Sequence, residues 1–216
     1  MKAAIQNEKG DFVISIIDYG AGNIQSVKNA LRFIGCDVQL AESPKELKNS
    51  KALLLPGVGS FGHAMHNLQK SGFDSAIKDW IAADKPFLGI CLGMQVLFEK
   101  SEESPEIRGL GILKGGFKKF PSGQGLKVPH VGWNALQIAN STGLFQNISD
   151  NAYVYFVHSY YLKAEEPVVS ARTEYAVLFD AAVQKGNLWA CQFHPEKSGE
   201  VGLIMLKNFV STFEGV

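Results

Sequence analysis

Along the first half of the chain, short apolar runs alternate with longer stretches in which apolar residues recur at helical spacing. The runs are rich in Val, Ile and Leu, a pattern typical of buried strands, and we predict strands at 12–17, 37–41, 52–55 and 86–90. We predict helices at 24–34, about 60–70, about 74–83 and 92–99. Asn23 is a candidate N-cap of the first helix and Gly35 a candidate C-cap. Strands that alternate with helices indicate parallel pairing.

The pattern changes in the second half, where strand-like segments follow one another with few helices between them. These segments lie at about 109–120, 133–138 and 152–162, and a last strand at 188–193 precedes an amphipathic C-terminal helix. We therefore predict an α/β fold: a three-layer, mostly parallel sheet with helices on both faces and an added antiparallel region. No repeat or linker divides it, so we expect one domain over 12–216, preceded by a polar, flexible extension at 1–11.

Composition and charge argue against several classes of protein. The 216 residues are 46% hydrophobic and 19% charged, which fits a compact globule and argues against disorder. The formal net charge is zero, so no basic field would hold nucleic acid or an anionic membrane, and no apolar run is long enough to span a bilayer. Three scattered cysteines do not make a disulfide scaffold. We expect a cytoplasmic protein.

The segment 89–95, GICLGMQ, carries the most chemical information. It places Cys91 between glycines, where a strand turns sharply into a helix, and such a turn exposes a nucleophile. The positive end of the helix lowers the pKa of a thiol, and the N–H of Leu92 is placed to bind an oxyanion. The alternative is that Cys91 is a small buried packing residue; the flanking glycines favour the nucleophile.

A thiol nucleophile needs a base, and His194 follows the last predicted strand. Because Pro195 holds the residue before it in extended geometry, we expect His194 and Glu196 to project on the same side. Glu196 then accepts the Nδ1 proton and orients the imidazole. A further loop contains Gly57, Val58 and Gly59, whose glycines allow the intervening peptide to turn, so that the N–H of Val58 completes an oxyanion hole. A plain tight turn is the alternative for that loop.

Together these segments resemble the class I (triad) glutamine amidotransferases, and within that class the glutaminase subunits of imidazole glycerol phosphate synthases. The resemblance covers nearly the whole chain, from about 14 to 213. GICLGMQ and QFHPE mark the broad class. The more specific blocks are DYGAGN at 18–23, PGVGSFG at 56–62, VPHVGWN at 128–134, YFVHSY at 155–160 and HPEKSG at 194–199. The polar N-terminal extension is the one departure.

The resemblance implies that Cys91 attacks the side-chain amide of L-glutamine, with His194 as acid and base and Glu196 orienting it. Gln95 is then expected at the α-amino-acid end of the substrate and the backbone of Ser159 and Tyr160 at its carboxylate. Gly57 and Gly59 are expected to border the substrate. No metal and no cofactor is implied.

The resemblance also implies a partner: a cyclase subunit with a (β/α)₈ barrel, in a heterodimer that receives ammonia through a channel. The residues expected to meet it are Asn23, Pro129, His130, Trp133 and Lys197. Trp133 as a core aromatic, Asn23 as a helix cap and His130 as a structural histidine remain alternatives. Three other functions remain open: an amidotransferase for a different synthase, a cysteine peptidase with a similar elbow, and a non-catalytic scaffold.

Overall fold

The computed structural model of the protein describes residues 14–20, 22–121 and 126–214. The predicted flexible extension at 1–11 lies outside these residues. Five α-helices are present in the described part: α1 Ile24–Phe33, α2 Phe61–Ser71, α3 Phe73–Ala82, α4 Leu92–Gln95 and α5 Gly199–Glu214. No helix in those ranges has the length and apolar character needed to cross a membrane.

The strands outnumber the helices. They are β1 Ile14–Ile17, β2 Val38–Ala41, β3 Ala52–Gly57, β4 Phe87–Cys91, β5 Lys100–Ser101, β6 Gly115–Lys119, β7 His130–Ala135, β8 Gln137–Ile138, β9 Tyr153–His158, β10 Tyr160–Ala164, β11 Val169–Tyr175, β12 Val177–Lys185 and β13 Leu188–Cys191. A parallel core runs in the order β2-β1-β3-β4-β13, and β12, β10, β6 and β5 extend the same sheet. This confirms the predicted mostly parallel sheet with an antiparallel addition.

Alternating side chains of the central strands show that the sheet is covered on both faces. Leu54 packs in a cluster with Val27 of α1 and Phe209 of α5, whereas Leu53 and its neighbour Leu55 pack in a second cluster with α2 and α3. Successive side chains of a strand point to opposite faces, so these two clusters lie on opposite sides of the sheet. The three-layer prediction is therefore confirmed.

The antiparallel region is larger than the sequence predicted. β11 and β12 were not predicted, yet they form a long antiparallel pair at 169–185. β7 and β9 pair separately as a two-stranded sheet. The strand-like segment predicted at 109–120 is a strand only at Gly115–Lys119.

The helix predicted at 92–99 is wrong in length, because α4 ends at Gln95. Carbonyl oxygens that would continue the helix are bonded from another segment: Leu110 N–H donates to Val96 O at 2.8 Å and Ile112 N–H to Leu97 O at 2.9 Å. These bonds replace the next helical turn, and the apolar residues that suggested a longer helix pack into the core instead. A pattern of apolar positions cannot distinguish these outcomes.

Helix α5 packs closely on the turn that follows β13. A Cβ at Gly202 would overlap the carbonyl oxygen of Pro195. We therefore expect Gly202→Ala to lower the free energy of unfolding by about 1–3 kcal/mol, despite the better helix propensity of Ala, because overpacking forces two backbones apart. Urea unfolding measures this difference.

The control variant is Glu200→Ala, at an exposed position in the first turn of the same helix. It is expected to change the free energy of unfolding by no more than about 0.5 kcal/mol. Equal stability of Gly202→Ala and the wild type would contradict the close packing of α5 on this turn.

Candidate active site

Three adjacent parallel strands bring the predicted triad together. β3 and β4 align with Gly57 opposite Cys91, and β13 lies on the other side of β4 with Cys191 opposite Ile90. Parallel strands present their carboxyl ends at one edge, where ligands bind in sheets of this kind. The loop after Gly57, the turn at Cys91 and the segment leading to His194 therefore share that edge.

Cys91 has the backbone expected of a nucleophile elbow. Its φ is +55° and its ψ −110°, a conformation that non-glycine residues adopt only where the surrounding structure imposes it. The glycines on each side are needed for space: a Cβ at Gly89 would lie 2.8 Å from the carbonyl oxygen of Gly93, and one at Gly93 would overlap Leu55 O. The strand, the turn and the following helix thus pack too closely for any larger residue.

His194 and Glu196 form a buried ion pair. Nδ1 lies 2.8 Å from Glu196 Oε1, and both side chains are no more than 2% exposed. The expected extended chain is wrong in detail, because Pro195–Lys197 is a 3₁₀ turn and only His194 is extended. The turn closes through Lys197 N–H, which donates to His194 O at 3.0 Å. This compact turn, rather than alternation along a strand, places the two side chains together.

The pair leaves His194 charged at neutral pH. Burial alone lowers the pKa of His194, but the nearby Cys91 and then Glu196 outweigh it and raise the pKa from 6.5 to about 10. Nε2 of His194 is buried and has no hydrogen-bond partner of good geometry in the described ranges. Cys91 is nevertheless close enough that a hydrogen-bonding contact and its charge both raise the pKa of His194. An imidazolium beside a thiol is the arrangement that favours thiolate.

A second side chain approaches the thiol. Gln192 donates through Nε2 to Cys91 Sγ at 3.5 Å and accepts, through Oε1, a bond from Gln95 Nε2 at 3.1 Å. Tyr19 Oη is buried and without a bond in the described ranges, and a Cβ at Gly57 would lie 2.5 Å from it. Neither Gln192 nor Tyr19 stood out in the sequence, although both lie inside blocks of the family resemblance.

Cys91 opens into a cleft of about 280 Å³, close to the lower end of the usual range for small-molecule sites. The cleft is lined by Val58, Gly59, Cys91, Leu92, Gln95, Glu103, Pro129, Val157, His158, Ser159 and Tyr160. All predicted substrate and oxyanion residues are among them except Gly57, which is buried at the end of β3. A second cavity, of about 380 Å³ between β5, β6 and β10, contains no triad residue.

Glu103, like Val157 and His158, lines the cleft but was not among the predicted site residues. Its Oε2 accepts a bond from Phe61 N–H at 2.6 Å, at the start of α2. It lies in the stretch SEESPE, which has the composition of an ordinary surface loop. Only the fold shows that this loop reaches the cleft.

Most of the residues predicted to meet a partner are accessible. Trp133 is 54% exposed, Pro129 and Lys197 are exposed, and Asn23 is half-buried at the N-cap of α1 without a side-chain capping bond. His130 differs, because it is only 3% exposed and stacks on Phe156 and Tyr175. In this structure His130 does not reach the surface, so we no longer count it among the residues expected to contact the partner.

The family model for class-I glutamine amidotransferases matches residues 15–212. The chain belongs to this family. Among its amidotransferase relatives, imidazole glycerol phosphate synthase subunit HisH of Caldanaerobacter subterraneus subsp. tengcongensis is 51% identical over 91% of this chain and 97% of its own. The chloroplastic imidazole glycerol phosphate synthase hisHF of Arabidopsis thaliana is 43% identical over 93% of this chain, which matches 34% of that longer protein.

Solved structures support the amidotransferase fold. PurLQS from Thermotoga maritima superposes with a TM-score of 0.76 at 19% identity, over 95% of this chain and 100% of that one. A crystal structure described as a glutamine amidotransferase gives 0.73 at 21% identity, over 94% of this chain and 100% of that one. At such identities the likeness concerns the fold alone.

Replacing Glu196 by Gln tests the charge arrangement of this amidotransferase. Loss of the carboxylate should lower the pKa of His194 from about 10 towards 6.5, which an NMR titration of the imidazole measures. A raised pKa in the folded state stabilises the protein fully below the unfolded value of 6.5, and this contribution is lost as the pH rises through about 10. The stability difference between wild type and Glu196→Gln should therefore be largest below pH 6.5.

Glu200→Gln serves as the control, because Glu200 is an exposed acid close by in sequence. It should leave the titration of His194 unchanged. An unaltered His194 pKa in Glu196→Gln would show that the carboxylate does not hold the charge.

Proposed function

We propose that the chain is the glutaminase subunit of an imidazole glycerol phosphate synthase and that Cys91, His194 and Glu196 are its catalytic triad. The observation that carries this proposal is the buried His194–Glu196 pair beside an elbow cysteine that opens into a small cleft. Relatives named as HisH subunits, at 46–51% identity, support the same assignment.

The triad performs the hydrolysis of L-glutamine in two stages. The Cys91 thiolate attacks the side-chain amide carbon, and the C=O electron pair moves to oxygen, which the N–H groups of Val58 and Leu92 stabilise. The C–N bond then breaks, and the imidazolium of His194 gives its proton to the leaving ammonia. Neutral His194 next takes a proton from water, which attacks the thioester and releases glutamate and the thiolate.

The cleft supplies the groups that orient the substrate. Gln95 is buried and is bonded to Gln192, and we propose that it contacts the α-amino-acid end of glutamine. Ser159 and Tyr160 are placed for the carboxylate. We add Glu103, whose carboxylate borders the same cleft and would attract the α-ammonium group.

The loop of Gly57, Val58 and Gly59 has the freedom that a regulated oxyanion hole needs. Gly59 has φ +111°, and a Cβ there would meet nothing within 4 Å. We propose that the intervening peptide turns when the cyclase binds its own substrate, so that glutamine is hydrolysed mainly in the loaded complex. Equal turnover with and without that substrate would rule this out.

We propose that the partner is a cyclase with a (β/α)₈ barrel and that the outer face of β7 and β9 docks against it. This docking face carries Val131, Trp133 and Tyr153, which are 56%, 54% and 59% exposed. Lys197 adds a cation beside it, with Nζ 5.9 Å from the ring centre of Tyr155. The length of the plant hisHF protein, about a third of which matches this chain, supports a fused cyclase partner there.

The other candidate functions are less well supported. An amidotransferase that supplies a different synthase would use the same triad. PurLQS, which is not named as a HisH subunit, resembles this chain only in its fold, whereas the HisH relatives resemble it in sequence. The elbow at Cys91, the buried His194–Glu196 pair and the adjoining cleft argue against a non-catalytic scaffold. We place the protein in the cytoplasm, where Cys91 would be kept reduced.

Two buried cysteines provide a matched test of catalysis. Cys91→Ala should abolish glutamine-dependent release of glutamate. Cys191→Ala should retain activity, because burial raises the pKa of the Cys191 thiol well above its ordinary value and keeps it unreactive. A glutaminase assay on the complex with the cyclase, loaded with the cyclase substrate, measures both. Activity that survives in Cys91→Ala would exclude the triad.

A second test concerns docking. Trp133→Ala should weaken the complex with the cyclase by about 30-fold or more, because an exposed tryptophan at the centre of an interface is a frequent hot spot. Phe33→Ala is the control, since Phe33 is 72% exposed on α1 and lies outside the docking face. Calorimetry compares the two. Equal affinity of Trp133→Ala and the wild type would remove Trp133 from the interface.

A further inference from the structure

Two buried histidines outside the triad are bonded to each other. His130 on β7 and His158 on β9 are register partners, 3% and 6% exposed. His130 Nδ1 lies 3.0 Å from His158 Nε2. His158 also lines the cleft that contains Cys91, so the pair connects the two-stranded sheet to the substrate site.

The position of each proton in this pair follows from its neighbours. His158 Nδ1 lies 2.8 Å from the Tyr160 carbonyl oxygen, which only accepts, so Nδ1 carries the proton. In a neutral ring Nε2 is then an acceptor, and the bond at 3.0 Å requires His130 Nδ1–H as its donor.

Asn134 completes the chain of bonds. Its Oδ1 accepts from Ala135 N–H at 2.8 Å, and its Nδ2 donates to Glu174 O at 3.0 Å, which fixes the orientation of the amide. The same Nδ2 lies 3.4 Å from His130 Nε2, the acceptor nitrogen of that neutral ring. Every donor therefore meets an acceptor, and the bonds run in one direction from Asn134 to Tyr160.

This direction of the hydrogen bonds requires the rings of His130 and His158 both to be neutral. Burial lowers the pKa of His130 to about 4. Burial also lowers the pKa of His158 to about 3; its bond to Tyr160 opposes this, and charge on His130 or His194 adds to it. A second proton on His158 would turn two N–H groups towards each other. His130 is further held by its stacking on Tyr175, with ring centres 3.9 Å apart.

The chain of bonds determines what the cleft offers to a carboxylate. Ser159 O accepts from Phe120 N–H at 3.1 Å, and Tyr160 O accepts from His158. Both carbonyl oxygens of the segment are thus occupied. A carbonyl oxygen that pointed at the substrate would repel its carboxylate, so bonds that hold both oxygens on protein donors favour carboxylate binding at Ser159 and Tyr160.

We propose that His130 and His158 are positioning residues for glutamine: as a neutral pair of fixed tautomers, they hold the Tyr160 carbonyl so that the Ser159–Tyr160 segment binds the α-carboxylate of the substrate. This inference rests on the proposed function and deepens it. The two rings take no part in proton transfer to the reacting amide.

Substitutions at His158 test the proposal by separating KM from kcat. His158→Leu removes the donor to Tyr160 and should raise KM for glutamine roughly tenfold, the effect of one lost hydrogen bond, with kcat within about twofold. His158→Asn keeps an N–H near the position of Nδ1 and should restore most of the loss. His66→Leu, at an exposed position, should change neither constant. A fall in kcat at unchanged KM, or equal damage by Asn and Leu, would overturn the proposal.

Alkylation of Cys91 separates this inference from the proposed function. A glutamine-like chloroketone carries the α-carboxylate, whereas iodoacetamide does not. In His158→Leu the first should react about tenfold more slowly and the second at the wild-type rate. Equal slowing of both reagents, or slowing of neither, would overturn the inference. Wild-type protein in which glutamine does not protect Cys91 from the chloroketone would instead reject the proposed function.

A measurement on the unaltered protein does not depend on whether the variants fold. The ¹⁵N chemical shifts of both imidazoles at neutral pH should show Nδ1 protonated and Nε2 unprotonated. A proton on Nε2 of either ring at neutral pH would overturn the proposal.

Discussion

The candidate site depends on one buried ion pair, between His194 and Glu196. Burial of two charges is costly unless geometry and further interactions offset the desolvation. Here the Nδ1–Oε1 contact of 2.8 Å supplies the attraction, and the adjacent thiol favours the same charged form of the imidazole. The pair is therefore part of a three-member arrangement, in which Cys91 and Glu196 together hold His194 in its charged form.

The fold supplies the geometry that this arrangement needs. Cys91 and His194 are far apart in sequence, but β4 and β13 are neighbouring parallel strands, so both residues reach the same edge. The glycines around Cys91 permit an elbow that packs directly on β3. Helix α5 then holds the turn at Pro195 against the rest of the protein. The core thus fixes the separation of nucleophile and base.

Local patterns predicted the parts of the structure whose determinants are local. The buried strands and the elbow at Cys91 follow from apolar runs and glycines. Glu196 was correctly identified beside His194, but a 3₁₀ turn rather than the expected extended chain brings the two together. The end of α4 and the contribution of Glu103 could not be predicted locally, because each depends on a segment that is distant in sequence. Residues 110–112 donate hydrogen bonds to the backbone that follows Gln95 and so end the helix. The loop that contains Glu103 reaches the cleft only in the folded protein. His130, predicted at an interface, is buried because its strand turns that side chain towards Phe156 and Tyr175.

We assign two roles to the two-stranded sheet of β7 and β9. Its outer face presents apolar side chains for a partner, and its inner face carries the histidine pair that borders the cleft. One small element therefore contacts both the proposed cyclase and the proposed substrate-binding segment. This arrangement offers a short structural route between partner docking and glutamine binding.

The most direct test of the central claim is to trap the covalent intermediate. The complex with the cyclase, loaded with the cyclase substrate, is mixed with glutamine and quenched in acid. The protein is then digested, and the peptides are analysed by mass spectrometry. We expect a γ-glutamyl thioester on the peptide that contains Cys91. An adduct on Cys36 or Cys191 instead of Cys91 would contradict the triad.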